Sequence, residues 1–305
     1  MRIGLVNQLH GRPNGKRPPP TWESLSARAT AAELAGFDTF VFEDVLMYRW
    51  DGDGTDGVWE SVSVAAALAA TTSQMRIAHS VINSPYRSPA MMASIATTLD
   101  EISGGRYTLG IGAGNSLDSD YEAFGFPKDH RFSRFAEAIE IIHSLLKTGR
   151  VDYEGEFYSA KESELVLRGP SPTGPPINIA GAGPKMLGLV ARYADEWNWW
   201  TWDETLEEIG RRLGPILKSL DVELEKEGRD PSELVRTIDV YSGQPADLEA
   251  EHDMANPMTG SSEQIADQIL TLGEMGFDEV RVDLWPKAVS AIDAMAPVVT
   301  LVHDA

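Results

Sequence analysis

The 305-residue chain contains no cysteine. That excludes disulfides, thiolate metal sites and a cysteine nucleophile, and it is compatible with a reducing compartment. Positive charge is scarce: 26 Lys and Arg stand against 47 Asp and Glu, a formal net charge of -21 at pH 7. Nucleic acids and anionic membranes are polyanions that need a basic footprint, so neither is an expected partner and a small-molecule ligand is. No window holds about 18 uninterrupted apolar residues, the length a bilayer span requires. The opening run Met1–Asn7 reads as a strand rather than the basic-then-apolar pattern of a signal peptide, so a soluble, cytoplasmic protein is expected.

Familiar catalytic signatures are missing as well. The six histidines (His10, His79, His130, His143, His252, His303) form no i, i+3 or i, i+4 pair and no HExxH, so no metal site is expected. There is no GxSxG nucleophile elbow. Gly110-x-Gly112-x-Gly114 brings its third glycine one residue too early for a dinucleotide fingerprint, and a polar run rather than a helix follows it. Gly11 to Arg17 mimics a phosphate-binding loop with a spacer residue too few and Arg17 where a metal-binding hydroxyl belongs. What remains is redox or binding chemistry with an organic cofactor.

The chain is rich in short apolar runs that alternate with helical patterns. Ile3–Asn7, Thr39–Phe42, Ile77–Val81, Tyr107–Ile111, Pro176–Ala180, Glu196–Trp200, Val235–Tyr241 and Glu279–Asp283 read as strands, each near-continuously apolar as in sheets covered on both faces. Between them fall helices opened by Thr21, around Trp59 to Ala70, by Ser88-Pro89, near Ser133, by Pro184, near Glu204 and at Ser261, with a terminal one from Ser290. Eight alternating strand–helix units at this length suggest a closed α/β barrel forming one domain over residues 1–305. Three stretches interrupt the rhythm: a polar loop around Tyr48–Trp50, a polar excursion from Ser116 to Arg131, and a small hairpin over Val151–Tyr158 and Leu165–Leu167. Gln244 to Thr259 has no period and reads as loop.

Ligands of such folds sit at the carboxyl ends of the strands. Two endings there are small and polar, Ile77–Pro85 and Arg106–Asn115, and they mark the floor of a site. Ala180-Gly181-Ala182-Gly183-Pro184 leads from a strand into a helix, so its N–H groups offer a seat for a phosphate, although an ordinary turn has the same composition. Glu43 and Asp44 end the second strand and His10 follows the first, all at the same mouth; Arg12, Lys16 and Arg17 form a basic island near it. Trp50, Trp197, Trp199, Trp200 and Trp202 are candidates for an apolar substrate wall, but alternation along the strand sends Trp197 and Trp199 to one face and Trp200 to the other.

Taken together, Ala35-Gly36-Phe37-Asp38-Thr39, Phe42-Glu43-Asp44, His79-Ser80-Val81, Gly104 to Gly114, and Ile179 to Pro184 through Tyr193 to Asn198 resemble the luciferase-like flavin and deazaflavin oxidoreductases, most of all the branch that uses coenzyme F420. The resemblance runs from Arg2 to Asn198. It implies a luciferase-like TIM (β/α)8 barrel with insertions, often dimeric, here through the apolar helix near Val58–Ala70. It implies a non-prolyl cis peptide at Ser80–Val81 behind the cofactor ring, a phosphate seat at Gly181, Ala182 and Gly183, and cofactor contacts from Asp44, Ser80, Val81, Asn83, Gly112, Asn115, Asp118 and Ala180. Many relatives carry His after the Asp44 position where this chain has Val45, and glucose-6-phosphate dehydrogenases of the family carry a glutamate where Asn115 stands. The expected acid or base is therefore His10, then Asp44. The implied activity is hydride transfer between F420 and a small alcohol, carbonyl or unsaturated substrate; the alternative is an FMN-dependent monooxygenase.

Overall fold

The computed structural model describes residues 1–11, 17–50, 54–115, 118–201, 204–245 and 256–305. Eight strands lie parallel and in chain order: β1 (Arg2–Asn7), β2 (Thr39–Phe42), β3 (Arg76–His79), β4 (Tyr107–Gly112), β5 (Ile177–Ala180), β6 (Glu196–Trp200), β7 (Val235–Gly243) and β8 (Glu279–Trp285). Strand β8 pairs back onto β1, Arg2 beside Glu279 through Val6 beside Asp283, which closes the barrel. Around it run helices α1 (Trp22–Ala35), α2 (Ser61–Thr71), α3 (Pro89–Ser103), α4 (Asp118–Phe124), α5 (Arg131–Thr148), α6 (Pro184–Tyr193), α7 (Leu206–Lys226), α8 (Ser262–Glu274) and α9 (Val289–Asp304).

The helix ends are written locally. Thr21 caps α1 in a reciprocal box with Ser24, and Gly36 closes the helix at φ 88°, a left-handed turn that glycine adopts without a Cβ penalty. Thr205 with Glu208 and Ser261 with Gln264 repeat the box at α7 and α8. Buried apolar residues fill the layer between helices and barrel, among them Ile3, Leu5, Phe40, Phe42, Ile77, Leu109, Ile111, Ile177 and Ile179. They occupy alternate strand positions, so the positions between them point into the lumen.

That lumen is not apolar throughout. Its upper layer is, with Val6, Val41 and Ala78 beneath Trp200. Below lies a buried charge network: Arg281 Nε donates to Glu279 at 2.8 Å, and Arg76 donates to Glu196 at 2.5 Å and stands 3.6 Å from Glu279. Burial alone would push the Glu279 carboxyl up; Arg281, then Arg2 and Arg76, outweigh it and hold it down at about 2. The expectation of near-continuously apolar strands is thus corrected for β6 and β8, whose inward positions Glu196, Asn198, Glu279, Arg281 and Asp283 alternate with apolar outward ones.

Other expectations also move. The excursion after Asn115 contains α4, whose Tyr121 is fully buried. The loop after β2 is an antiparallel pair, Met47–Trp50 with Gly54–Gly57. The hairpin following α5 pairs Arg150–Glu154 with Ser159–Glu164, while Val166 and Leu167 are exposed. Its second strand is polar and buries chiefly Ala160, so apolar content pointed to the wrong stretch. Of the Gln244–Thr259 loop, residues 246–255 lie outside the described ones, and Met258 bridges back to β7 through Tyr241 and Gly243.

Candidate active site

The site grows from the end of β3. The chain leaves the barrel wall at His79, passes through a cis peptide between Ser80 and Val81, and rejoins the sheet at Ile82–Asn83, which pairs with Ile111–Gly112 of β4. This detour needs room inside β4, and its glycines supply it. A Cβ at Gly110 would fall on the His79 carbonyl, and one at Gly112 would lie 2.9 Å from Val81 Cγ2. The Gly-x-Gly spacing therefore serves backbone approach within the protein, on strand rather than at a strand–helix turn.

Asp44 sits beside this segment, buried and fully engaged. Its carboxylate accepts from Ser61 Oγ at 2.6 Å, from Arg87 Nη1 at 2.8 Å and from the Asn83 backbone N–H at 3.0 Å. Asn83 in turn donates through Nδ2 to the Asp44 carbonyl and accepts the Asn115 N–H at 2.9 Å. Asp44, Asn83 and Asn115 thus tie the ends of β2, β3 and β4 together. Asp44, the second candidate acid or base, has its oxygens committed to a guanidinium, a hydroxyl and an amide. The side chain of Asp118 lies outside the described residues, as do Arg12, Lys16 and Trp202 and the side chain of Trp50.

Ser80 and Val81 face a cavity of about 570 Å³ at the barrel mouth, across from Ala180 and Gly181. Asn198, Trp199, Trp200, Glu204 and Arg212 complete its wall. Gly181 has φ 127°, and Gly183 caps α6 without a side-chain hydrogen bond, with nothing within 4 Å of its missing Cβ. Pro184 has no N–H and the Met186 N–H turns back onto the Gly183 carbonyl at 2.8 Å, so the N–H groups a ligand would meet on this helix end of positive polarity are chiefly those of the turn itself. Trp197 is buried outward against Phe277 and donates to the Gly181 carbonyl at 2.8 Å, so it braces this turn rather than lining the mouth. Arg212 lies over Trp199 with its guanidinium carbon 5.1 Å from the ring centre and pairs with Glu204.

Beneath Ser80 stands Asp239, a residue the apolar reading of β7 missed. It accepts from Ser80 Oγ at 2.6 Å and from Asn198 Nδ2 at 2.8 Å, and burial raises its pKa despite the Arg281 charge and these two donors. The alternation Thr237, Asp239, Tyr241 was the available signal for an inward polar face.

His10 lies elsewhere on the rim. It follows β1 and lines a second cavity, of about 440 Å³, bounded by the loop after β1, α1 and the segment after β8. Its Nδ1 is 2.6 Å from Glu43 Oε1, and its ring lies 4.4 Å from that of Tyr48. Glu43 also accepts from the Tyr48 hydroxyl at 2.6 Å and the Leu9 N–H at 3.1 Å. Burial would raise the Glu43 carboxyl, but His10, Tyr48 and Leu9 together bring it below its ordinary value. An ionised Glu43 favours the hydrogen on His10 Nδ1, which directs Nε2 away from that pair. Among the described residues no group of His, Asp and Glu is arranged to hold a metal ion. Nor is any of their helices long and apolar enough to cross a membrane.

The sequence profile of the luciferase-like monooxygenase family matches residues 1–246. The 5,10-methylenetetrahydromethanopterin reductase of Archaeoglobus fulgidus is 34% identical over 178 residues, covering 58% of this chain and 49% of that protein. An F420-dependent glucose-6-phosphate dehydrogenase of Nakamurella multipartita is 33% identical over 174 residues, 56% of this chain and 50% of the other. In these matches the aligned stretch spans about half the length of each relative. An F420-dependent secondary alcohol dehydrogenase, solved with an F420–acetone adduct, superposes at a TM-score of 0.81 and 17% identity over 99% of this chain and 98% of its own, a likeness of fold. With the profile running from β1 through β7 and the whole barrel superposing, the chain belongs to the luciferase-like monooxygenase family.

Proposed function

We propose that this protein is a coenzyme F420-dependent oxidoreductase that moves a hydride between the deazaflavin and a small alcohol, carbonyl or unsaturated substrate. The observation that carries the reading is one cavity that joins the Ser80–Val81 segment to the uncapped, glycine-lined start of α6. A volume of about 570 Å³ lies within the range of organic cofactor sites, roughly 300–1,000 Å³. The named relatives with F420 in their descriptions support the same cofactor.

Gly181, Ala182 and Gly183 would hold the phosphate on backbone N–H groups, since no side chain competes for them. Ser80, Val81 and Ala180 would back the ring, with Gly112 admitting Val81 and the Asp44–Asn83–Asn115 ties fixing the strand ends behind them. When bound, F420 supplies the carbon that gives or takes the hydride. The chain supplies position, a dry wall from Trp199 and Trp200, and one proton site. His10 would fill that last role for a substrate that extends from the ring into the neighbouring cavity, whose wall His10 forms, its Nε2 accepting or returning the proton while Glu43 holds Nδ1.

The second reading, an FMN-dependent monooxygenase, is favoured by the description of the matching family. Fluorescence titration of the purified protein with oxidised F420 and with FMN separates the two. Micromolar binding of F420 with little affinity for FMN is expected. The reverse preference would replace the first reading with the second, and binding of neither would remove both.

A further inference from the structure

Arg28 is an anomaly in this acidic chain. It sits two turns into α1, only 6% exposed, on the wall of the second cavity beside Gln8, Arg17, Pro18, Ser24 and Trp285. Among the described residues its guanidinium makes no ion pair, and its Nε is buried without a partner. Burial, then the nearby Arg17 charge, lowers its pKa to about 10, and no carboxylate counters them. A lone buried cation costs several kcal/mol unless something compensates it. Among the described residues the other cations lining this cavity are occupied. Arg17 donates to Gln8 Oε1 at 2.6 Å and to the His10 carbonyl at 3.2 Å, and Lys287 is paired with Asp283.

We propose that the cavity between α1 and the segment after β8 is a binding site for a small amphipathic carboxylate, whose anionic end pairs with Arg28. A planar guanidinium fork matches a carboxylate in shape, and one uncommitted cation suits one negative charge. Pro18, Pro19, Pro20, Trp285 and Pro286 give the rest of the cavity an apolar wall for the ligand body. About 440 Å³ accommodates a ring with a short chain. The pairing with Arg28 does not depend on which cofactor the barrel holds, because Arg28 and the apolar wall are separate from the cavity at Ser80 and Gly181; of the groups in the proposed reaction, the site shares His10.

Isothermal titration of the cofactor-free protein with phenylacetate, with its neutral isostere phenylacetamide, and with inorganic phosphate tests the proposal. Phenylacetate is expected to bind at least about tenfold more tightly than the amide, the order of one charge-assisted hydrogen bond, and phosphate weakly. Arg28→Met keeps the apolar stem and is expected to erase the preference while raising the melting temperature, because an uncompensated buried charge is removed; Arg28→Lys should keep part of the preference. Equal affinity of the wild type for acid and amide, or absence of binding by both, would overturn the proposal without recourse to any variant. So would Arg28→Met with its preference intact. A tighter grip on phosphate than on phenylacetate would likewise overturn it in favour of an inorganic-anion site.

Discussion

At the scale of single residues, neighbours decide what each polar group at the mouth can do. Asp44 and Glu43 are adjacent in sequence, yet one is locked by Arg87, Ser61 and Asn83, and the other grips His10 and Tyr48. Only the second arrangement leaves an imidazole nitrogen, His10 Nε2, pointing away from its partners. His10→Gln is therefore expected to lower kcat by about 10²- to 10⁴-fold, the usual worth of a positioned acid or base, with little change in cofactor affinity. A pH–rate profile that keeps its shape and height in this variant would rule His10 out of proton transfer. His79 is only one residue from Ser80, but it is fully buried against Tyr107, and burial takes its imidazole down to about 4, so it stays neutral.

At the scale of elements, the fit between β3 and β4 organises the mouth. The β3 segment can leave and rejoin the wall only because Gly110 and Gly112 present no side chain to His79 and Val81. Gly112→Ala is expected to destabilise by about 1–3 kcal/mol through overpacking against Val81. Val81→Ala on top of it should recover at least half of the loss, giving a coupling that a double-mutant cycle by urea denaturation would read. Strictly additive effects of the two substitutions would mean that the contact does not limit the fit. The helices follow a different logic. The starts of α1, α7 and α8 are capped by residues within the same turn, as at Thr21 and Ser24, so those limits were readable without the fold.

At the scale of the whole molecule, the buried charges in the lumen couple stability to pH. Glu279 titrates near its ordinary value, about 4.3, when unfolded but at about 2 in the barrel. Its folded pKa is depressed, so its contribution is complete above about pH 4.3 and is lost as pH falls towards 2. Glu279→Gln is expected to cost about 3–5 kcal/mol at pH 7, because Arg281 then remains buried beside fewer negative partners. The two stability curves, measured by denaturant titration from pH 7 to pH 2, should draw together at the acid end. A gap that stays constant across that range would show that the network is not held by the ionised carboxylate.

The sequence by itself determined the alternation of strand and helix, the caps, the strand ends that form the mouth and the glycine turn before α6. Each of these is written in neighbouring residues, through side-chain period, turn chemistry or helix capping. The tertiary structure alone decided which polar groups meet. Closure of the barrel brings Asp239 beneath Ser80 and Arg76 onto Glu196, although chain order separates Ser80 from Asp239 by 159 residues. It also placed His10 on one cavity and the Ser80–Gly181 pair on another. Such partners come from strands and loops distant in the chain, and their energies depend on burial, which no local pattern of residues records.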